Sequence, residues 1–372
     1  MNLLIMEEIG MYDYLIVGAG LAGCVVAERL ASLGKQVLIV EKRNHIGGNC
    51  YDEYNEDGIL VHVYGPHIFR TNNSEIWHYL SRFTDWHFYQ HRVLTYIDGL
   101  KVPIPINLDT INTLYNLSYS STDMKNYLEK AQLEADIKEI KNSRDMAVSQ
   151  VGQTLYEKFF EQYTLKQWDL DAEDLAAEVI GRIPVRFNRD SRYFSDKYQG
   201  VPKYGYTKMF NKMLANSNIQ ILLQTNYKTV INQVQYNKIV YTGPIDCYFE
   251  NIYGALPYRS LDFEFETIPV ETYQEVGTIN YPNDHDFTRI TEFKHLTGQR
   301  HPWTTLAREY PKSSGDPYYP VPTTNNKMLY EQYAREAKKT KNVFFIGRLA
   351  EYQYYSMDQV IAKALSCLNT IL

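Results

Sequence analysis

The stretch Met11-Tyr-Asp-Tyr-Leu-Ile-Val-Gly18-Ala-Gly20-Leu-Ala-Gly23 decides the fold, together with Gln36-Val-Leu-Ile-Val40-Glu41-Lys42-Arg43 and Gly47-Gly48-Asn49. Tyr12–Val17 is apolar and β-favouring and reads as a strand. Gly18, Gly20 and Gly23 follow at once in GxGxxG spacing: the first for a tight turn, the second for backbone approach to a pyrophosphate, the third for packing of helix on strand. Ala22–Leu33 reads as the helix, with Gly34 at C′, and Gln36–Val40 as a second strand. The helix N-terminus directs N–H groups and dipole at phosphates. Glu41 ends the second strand, where a carboxylate accepts from ribose hydroxyls and disfavours a 2′-phosphate. The pair Gly47-Gly48 beyond it points to FAD. The stretch therefore reads as one βαβ unit of an α/β dinucleotide-binding fold.

Working outward, the chain has 372 residues, enough for about two or three domains. It is 44% hydrophobic and 22% charged, a globular balance. A net charge of −6 without a basic tract argues against nucleic acid as a partner. Cys24, Cys50, Cys247 and Cys367 lie far apart, with no metal-ligand spacing, which fits a reduced cytoplasmic compartment and no metal. No apolar run is long enough to span a bilayer. Residues 1–10 lack the features of a signal peptide and read as an extension, with Met11 an alternative start. The 33 tyrosines offer flat apolar faces with hydroxyls, suited to sugars and bases.

Beyond Asn49, Ile59–Tyr64 reads as a strand. Ser74–Phe83 reads as a helix with Ser74 as N-cap. Val93–Tyr96 and Lys101–Ile104 form a hairpin around Asp98-Gly99. Residues 107–180 are mainly helical, with Leu128, Ala131 and Ala135 at helical spacing. Tyr204–Asn216 is helical, and Ile219–Leu223 and Lys238–Thr242 are strands. Gly243 directly follows the latter, where a flavin-binding sheet touches its cofactor. Residues 255–335 read as β-rich. Asn342–Ile346, the Gly347-Arg348 turn and an apolar helix then return the chain to the first sheet. The expected division is a discontinuous nucleotide domain (11–90, 203–250, 336–372), a helical domain (107–180) and an antiparallel sheet domain (91–106, 181–202, 251–335).

With these pieces in place, the chain resembles the bacterial UDP-galactopyranose mutase family. The resemblance runs from about Met11 to the C-terminus. It rests on Glu41–Asn49, Tyr163-Thr-Leu-Lys-Gln-Trp168, Arg182-Ile-Pro-Val-Arg-Phe187, Tyr193-Phe-Ser-Asp-Lys-Tyr-Gln-Gly200, Tyr241-Thr-Gly-Pro-Ile-Asp246, Tyr258-Arg-Ser260 and Gly347-Arg-Leu-Ala-Glu-Tyr352. It implies an isomerase that interconverts UDP-galactopyranose and UDP-galactofuranose with no net redox change. FAD serves in its reduced form, its N5 attacking the anomeric carbon and displacing UDP. The implied fold is a discontinuous Rossmann-like FAD domain with an inserted helical bundle and an antiparallel sheet domain. The implied setting is a cytoplasmic homodimer that takes a UDP-sugar and an external reductant and feeds surface polysaccharides.

The resemblance also assigns residues. Arg182 and Arg289 grip the diphosphate, with Arg259 in support, and His67 and Arg348 lie beside the isoalloxazine; Arg182, Arg289 and His67 carry the catalysis. Tyr163, Thr164 and Trp168 form the uridine end. Tyr193, Tyr319, Tyr354 and Asn280 contact the substrate. The cofactor set is Gly18, Gly20, Leu21, Ala22, Gly23, Glu41, Lys42, Arg43, Gly48, Asn49, His67, Ile68, Gly243, Arg348, Ser356 and Met357. The roles make physical sense, because a departing diphosphate held by two guanidinium forks returns as if intramolecularly.

Three positions depart from the family pattern: Arg70 where a His is usual, His91 in place of an Asn, and Ser356 with the carboxylate two residues later at Asp358. They suggest a cleft that also accepts the bulkier UDP-N-acetylgalactosamine. From the residues alone two other functions stay open: an amine-oxidase-like flavin oxidoreductase, and a nucleotide-sugar binding protein without chemistry.

Overall fold

A computed structural model describes residues 11–181 and 183–372. The extension 1–10 and one of the two expected diphosphate arginines, Arg182, lie outside the described residues.

Five parallel strands form the first sheet, in the order Ile219–Leu222, Val37–Val40, Tyr12–Val17, Tyr236–Tyr241 and Val343–Phe345. Parallel sheets are covered on both faces, which is why Val37–Val40 and Val343–Phe345 are apolar on every residue and Tyr12–Val17 and Tyr236–Tyr241 end in apolar runs. Ile16, Val37, Ile39 and Val240 pack into one core, and Leu15, Val17, Leu38, Val40 and Ile239 into another on the opposite face. Helix Leu21–Ser32 joins the first core and packs on the closing helix Met357–Ile371. Tyr14 donates its hydroxyl to the carbonyl of Ile371 (3.1 Å), fastening the chain's end to its first strand. The nucleotide fold is thus assembled from both ends of the chain and a middle segment.

A seven-stranded sheet runs Tyr319–Pro320, Tyr258–Ile268, Thr304–Lys312, Arg289–Glu292, Thr278–Asn280, Val93–Ile97, Leu100–Ile104. All its pairings are antiparallel except that of Thr278–Asn280 with Val93–Ile97. The hairpin turn expected at Asp98-Gly99 is present, with both residues at positive φ (52° and 82°). Helices Leu108–Leu114, Ser121–Ala135 and Ser143–Val151 each start at a side-chain cap: Asn107, Ser120 and Asn142 accept from backbone N–H groups of the first turn. The helical run Gln153–Trp168 contains a π turn at Glu157–Glu161 that rotates everything after it.

Three local expectations need correction. The helix after Phe69 starts at Ser74, but its cap is Asn73, whose side chain accepts from the N–H groups of Glu75 and Ile76. Ser74 is one residue too late to bond those donors. Residues 324–339 form a 16-residue helix, Thr324–Lys339, capped by Thr323. The Pro and Gly turns upstream make the region look β-like, yet this segment is rich in strong helix formers. The strand Tyr198–Pro202 joins Phe69–Thr71 and Trp86–Phe88 in a separate three-stranded sheet, not the large sheet. Its partners are distant in sequence, so only tertiary pairing reveals it.

Candidate functional site

A cleft of about 990 Å³ opens at the C-terminal ends of the parallel strands, where open α/β sheets place ligands. Val17, Val40 and Tyr241 line its floor. One end is bounded by Glu41, Lys42 and Arg43, the other by His67, Arg348 and Met357. Its wall is bare backbone. Gly18 (φ 102°), Gly47 (92°) and Gly48 (55°) occupy the left-handed region, and a Cβ on Gly48 would lie 2.9 Å from the Cα of Gly20. The Gly47 N–H donates to the carbonyl of Ala19 (2.7 Å). The two glycine groups of the sequence are therefore one surface in the fold. That cradle fits the dinucleotide: it leaves room for phosphates against N–H groups and none for side chains.

Glu41 is buried and doubly anchored. It accepts from the N–H of Ala19 (2.8 Å) and of Arg43 (2.9 Å). This fixes the carboxylate at the cleft edge with lone pairs left for hydroxyl donors. Gly243 lines the cleft as expected, and so do Leu21, Ala22 and Asn49. Gly23, Ile68 and Ser356 do not line it. Gly23 is a packing residue, since a Cβ there would overlap the Gly18 carbonyl. Ser356 is the N-cap of the closing helix in a capping box with Gln359, and its hydroxyl bonds the displaced carboxylate of Asp358 (2.5 Å).

Sequence reading missed the segment Ser313–Pro317, part of which crosses the cleft mouth. Asp316 pairs with Lys42 (2.9 Å) and Arg43 (3.0 Å) and so closes a strap over the Glu41 end. Burial raises the Asp316 pKa, but these two cations outweigh it and hold it below its ordinary value. The run Ser313-Ser-Gly-Asp-Pro317 looks like any surface turn, so no local signal marked it.

His67 bridges this cleft to the rest of the site. Its Nδ1 lies 2.8 Å from the Gly65 carbonyl, and its backbone N–H donates to His62 Nδ1 (3.0 Å). Burial, then His62 and Arg348, push its pKa down to about 3, so the ring is neutral near pH 7. With Nδ1–H donated to Gly65, Nε2 is the free acceptor. Arg348 donates to the carbonyls of Tyr355 (2.6 Å) and Tyr318 (3.4 Å), and its guanidinium lies near the Tyr319 and Tyr354 rings.

Those two tyrosines open the second part of the site. Tyr319 and Tyr354 meet edge to face at 5.0 Å, and both pack on the buried Trp168. Arg289 stands nearby and donates to the Tyr163 hydroxyl. Its Nε is 3.5 Å from the buried carboxylate of Glu309, its neighbour across the sheet. Burial works against the Arg289 charge, but Glu309, Tyr163, Tyr319 and Tyr193 overcome it and raise its pKa further. Its Nε nevertheless has no hydrogen-bond partner among the described residues, and neither does Oδ1 of Asn280, which is paired with Arg289 in the strand register. A half-buried cation with an open donor beside an open amide acceptor is a ready grip for an anionic, hydrogen-bonding ligand. Thr164 is buried on the same helix as Tyr163 and Trp168.

Arg259 is committed elsewhere. It donates to the carbonyls of Gln167 (2.9 Å) and Lys166 (3.3 Å) and pairs with Asp169 (3.4 Å), so it caps the helix that carries Trp168. Its support for the arginine grip is therefore indirect. Arg70 and His91 both contact one aromatic ring, that of Phe194. Arg70 pairs with Asp196 (2.8 Å) and covers the face of Phe194 (4.3 Å), on which His91 stacks. The His91 carbonyl accepts from the Tyr193 N–H (2.7 Å), and burial then Arg289 push the His91 pKa down to about 3. Among the described residues no cluster could hold a metal, and no helix is long and apolar enough to cross a membrane.

Fold and site together define a flavin-type dinucleotide-binding protein with an adjoining cleft of arginine and tyrosine. A family model for UDP-galactopyranose mutase matches residues 158–354, and one for an NAD(P)-binding Rossmann-like domain matches residues 16–83. A probable UDP-galactopyranose mutase of Klebsiella pneumoniae is 38% identical over 366 residues, 97% of this chain and 94% of that protein. A dTDP-fucopyranose mutase of Escherichia coli is 37% identical over 368 residues, 96% and 97% of the two chains. A solved reduced UDP-galactopyranose mutase superposes with a TM-score of 0.77 at 15% identity, covering 97% of this chain and 94% of that one. The chain belongs to the UDP-galactopyranose mutase family.

Proposed function

We propose that this protein interconverts UDP-galactopyranose and UDP-galactofuranose with reduced FAD, and that UDP-N-acetylgalactosamine is a second substrate. The observation that carries the reading is Arg289: a half-buried, charged guanidinium whose buried Nε makes no hydrogen bond among the described residues, set beside Asn280 and the tyrosine cluster. Ring contraction requires UDP to leave the anomeric carbon and return to it. Gly18, Gly20 and Gly48 would hold the flavin, which when bound in its reduced form would supply the electron pair that the anomeric carbon needs.

The chain's own residues do the rest. Arg289 neutralises the departing diphosphate with charge-assisted bonds, each about twice as strong as neutral ones. Tyr163 holds Arg289 in place, while Tyr193, Tyr319 and Tyr354 close the diphosphate path. Trp168 and Thr164 offer the uridine a flat face and a hydroxyl. Held UDP returns at an effective concentration on the order of 10⁵ M. Arg182 is the second diphosphate arginine. Neutral His67 accepts at Nε2 without adding charge beside the cofactor. The exchanges at Arg70, His91 and Ser356 support acceptance of the bulkier acetamido sugar beside the unsubstituted one; the dTDP-fucopyranose mutase relative illustrates how far the nucleotide-sugar varies among relatives.

We place the enzyme in the cytoplasm as a homodimer fed by an external reductant. The test is direct. The purified protein, reduced with dithionite, is given each UDP-sugar separately and the products are resolved by chromatography. Furanose is expected from both, and only from reduced enzyme. Oxygen-consuming turnover would favour the oxidoreductase alternative, and UDP binding without any furanose would favour a binding protein; either result would overturn the proposal.

A further inference from the structure

The hairpin that presents Asn280 and Arg289 is fastened to the Trp168 helix by Lys166. Its ammonium donates to three carbonyls of the hairpin loop: Tyr281 (2.5 Å), His285 (2.8 Å) and Phe287 (3.2 Å). Tyr281 directly follows Asn280, and Phe287 lies two residues before Arg289, so both stems of the loop are gripped at once. On its own helix Lys166 sits between Tyr163 and Trp168. The Arg289–Tyr163 bond crosses the same gap, and Lys166 forms a second strut beside it. We infer that Lys166 is a positioning residue: it fixes the distance between the diphosphate grip of Arg289 and the nucleoside end at Trp168. This rests on the UDP-sugar reading of the site.

The chemistry suits the task. An ammonium has three donors and no acceptor, and here all three meet carbonyls. A neutral amine has two donors, so deprotonation must release one carbonyl and the attraction to the others. Burial lowers the Lys166 pKa to about 8, with Asp286 and then Asp284 opposing the fall. The other charged or titratable groups facing it are His285, Asp169 paired with Arg259, and Lys312 paired with Asp262. Asp169 and Arg259 on one side, and Lys312 and Asp262 on the other, are mutually paired. The strut is therefore intact below about pH 8 and weakens above it.

The probe is UDP, titrated against the flavin-loaded enzyme from pH 7 to 9 in wild type, Lys166→Met and Lys166→Arg. Wild-type affinity is expected to fall several-fold above about pH 8. Lys166→Met is expected to bind UDP at least tenfold more weakly at pH 7 and with a flat profile. Lys166→Arg keeps its charge and donors, so it is expected to bind near wild-type strength at pH 7 and to keep that affinity to pH 9. If Lys166→Met does not fold, the Lys166→Arg profile decides alone, and a fall parallel to wild type overturns the inference. A Lys166→Met protein that binds as tightly as wild type, or whose profile keeps the wild-type limb, overturns it too. Failure of the wild type to bind UDP at any pH would instead sink the functional reading.

Discussion

The two halves of the site are built by different means. The dinucleotide cleft is made of backbone: glycines at positive φ, N–H groups at a helix start, and one carboxylate clamped by two N–H groups. The sugar-nucleotide side is made of side chains: Arg289 and Tyr319 from the large sheet, Tyr163 and Trp168 from the π-bulged helix, Tyr193 from a loop, Tyr354 from the approach to the closing helix. The first tolerates almost no substitution, because a Cβ in the wrong place strikes backbone. The second can be tuned residue by residue, because each side chain arrives on a separate support.

That contrast can be broken most sharply at Gly48. Gly48→Val puts a branched side chain at φ 55° and against Gly20. The strain and clash are worth about 3 kcal/mol, which is a loss of about a hundredfold or more in flavin affinity. The visible absorbance of the purified protein measures it, and a fully yellow variant would refute the backbone-wall account.

On the side-chain half, Arg289→Lys keeps charge but loses the fork. Flavin content should stay at wild-type level while kcat/KM falls about thirtyfold, roughly 2 kcal/mol. Equal loss in both quantities would dissolve the distinction between the halves.

The acid limb of stability sharpens it further. His91 has a folded pKa near 3, far below the ordinary histidine value. A depressed value means the neutral form is favoured on folding: its stabilisation is complete above about pH 6.5 and is lost as pH falls towards 3. His91→Asn should therefore flatten the decline of unfolding free energy between pH 6.5 and 4 by about 1 kcal/mol per pH unit. Denaturant melts at several pH values measure this, and an unchanged slope would exclude His91 as the group responsible.

The smallest effect is expected at Arg70. Arg70→His should lower the preference for the acetamido sugar over the unsubstituted one by about threefold to tenfold, since discrimination between close analogues takes only about 1 kcal/mol. A ratio of kcat/KM values that does not move would remove Arg70 from specificity.

Legibility in the sequence follows the same division. Tyr12–Val17, the three glycines, the Leu21–Ser32 helix, Val37–Val40 and Glu41 lie within thirty positions. Their spacing alone carries the geometry, because neighbouring residues are placed by local backbone rules. Arg289 and Trp168 were recognisable through motif resemblance, but not their setting. That Glu309 stands across from Arg289 depends on strand register, and that Arg259 caps the Trp168 helix depends on how that helix packs. Neither leaves a periodic trace. The same holds for Asp316 reaching Lys42 and Arg43 across 274 and 273 residues.

The sequence by itself therefore determined the parallel nucleotide fold and its phosphate turn, because those features arise from φ preferences and short-range spacing. The tertiary structure decided which arginine was left with an open donor and which was consumed as a helix cap. It also decided that one lysine ties hairpin to helix. These outcomes rest on contacts between segments 90 to 126 residues apart, and such contacts are selected by packing of the whole molecule rather than by any window of the chain.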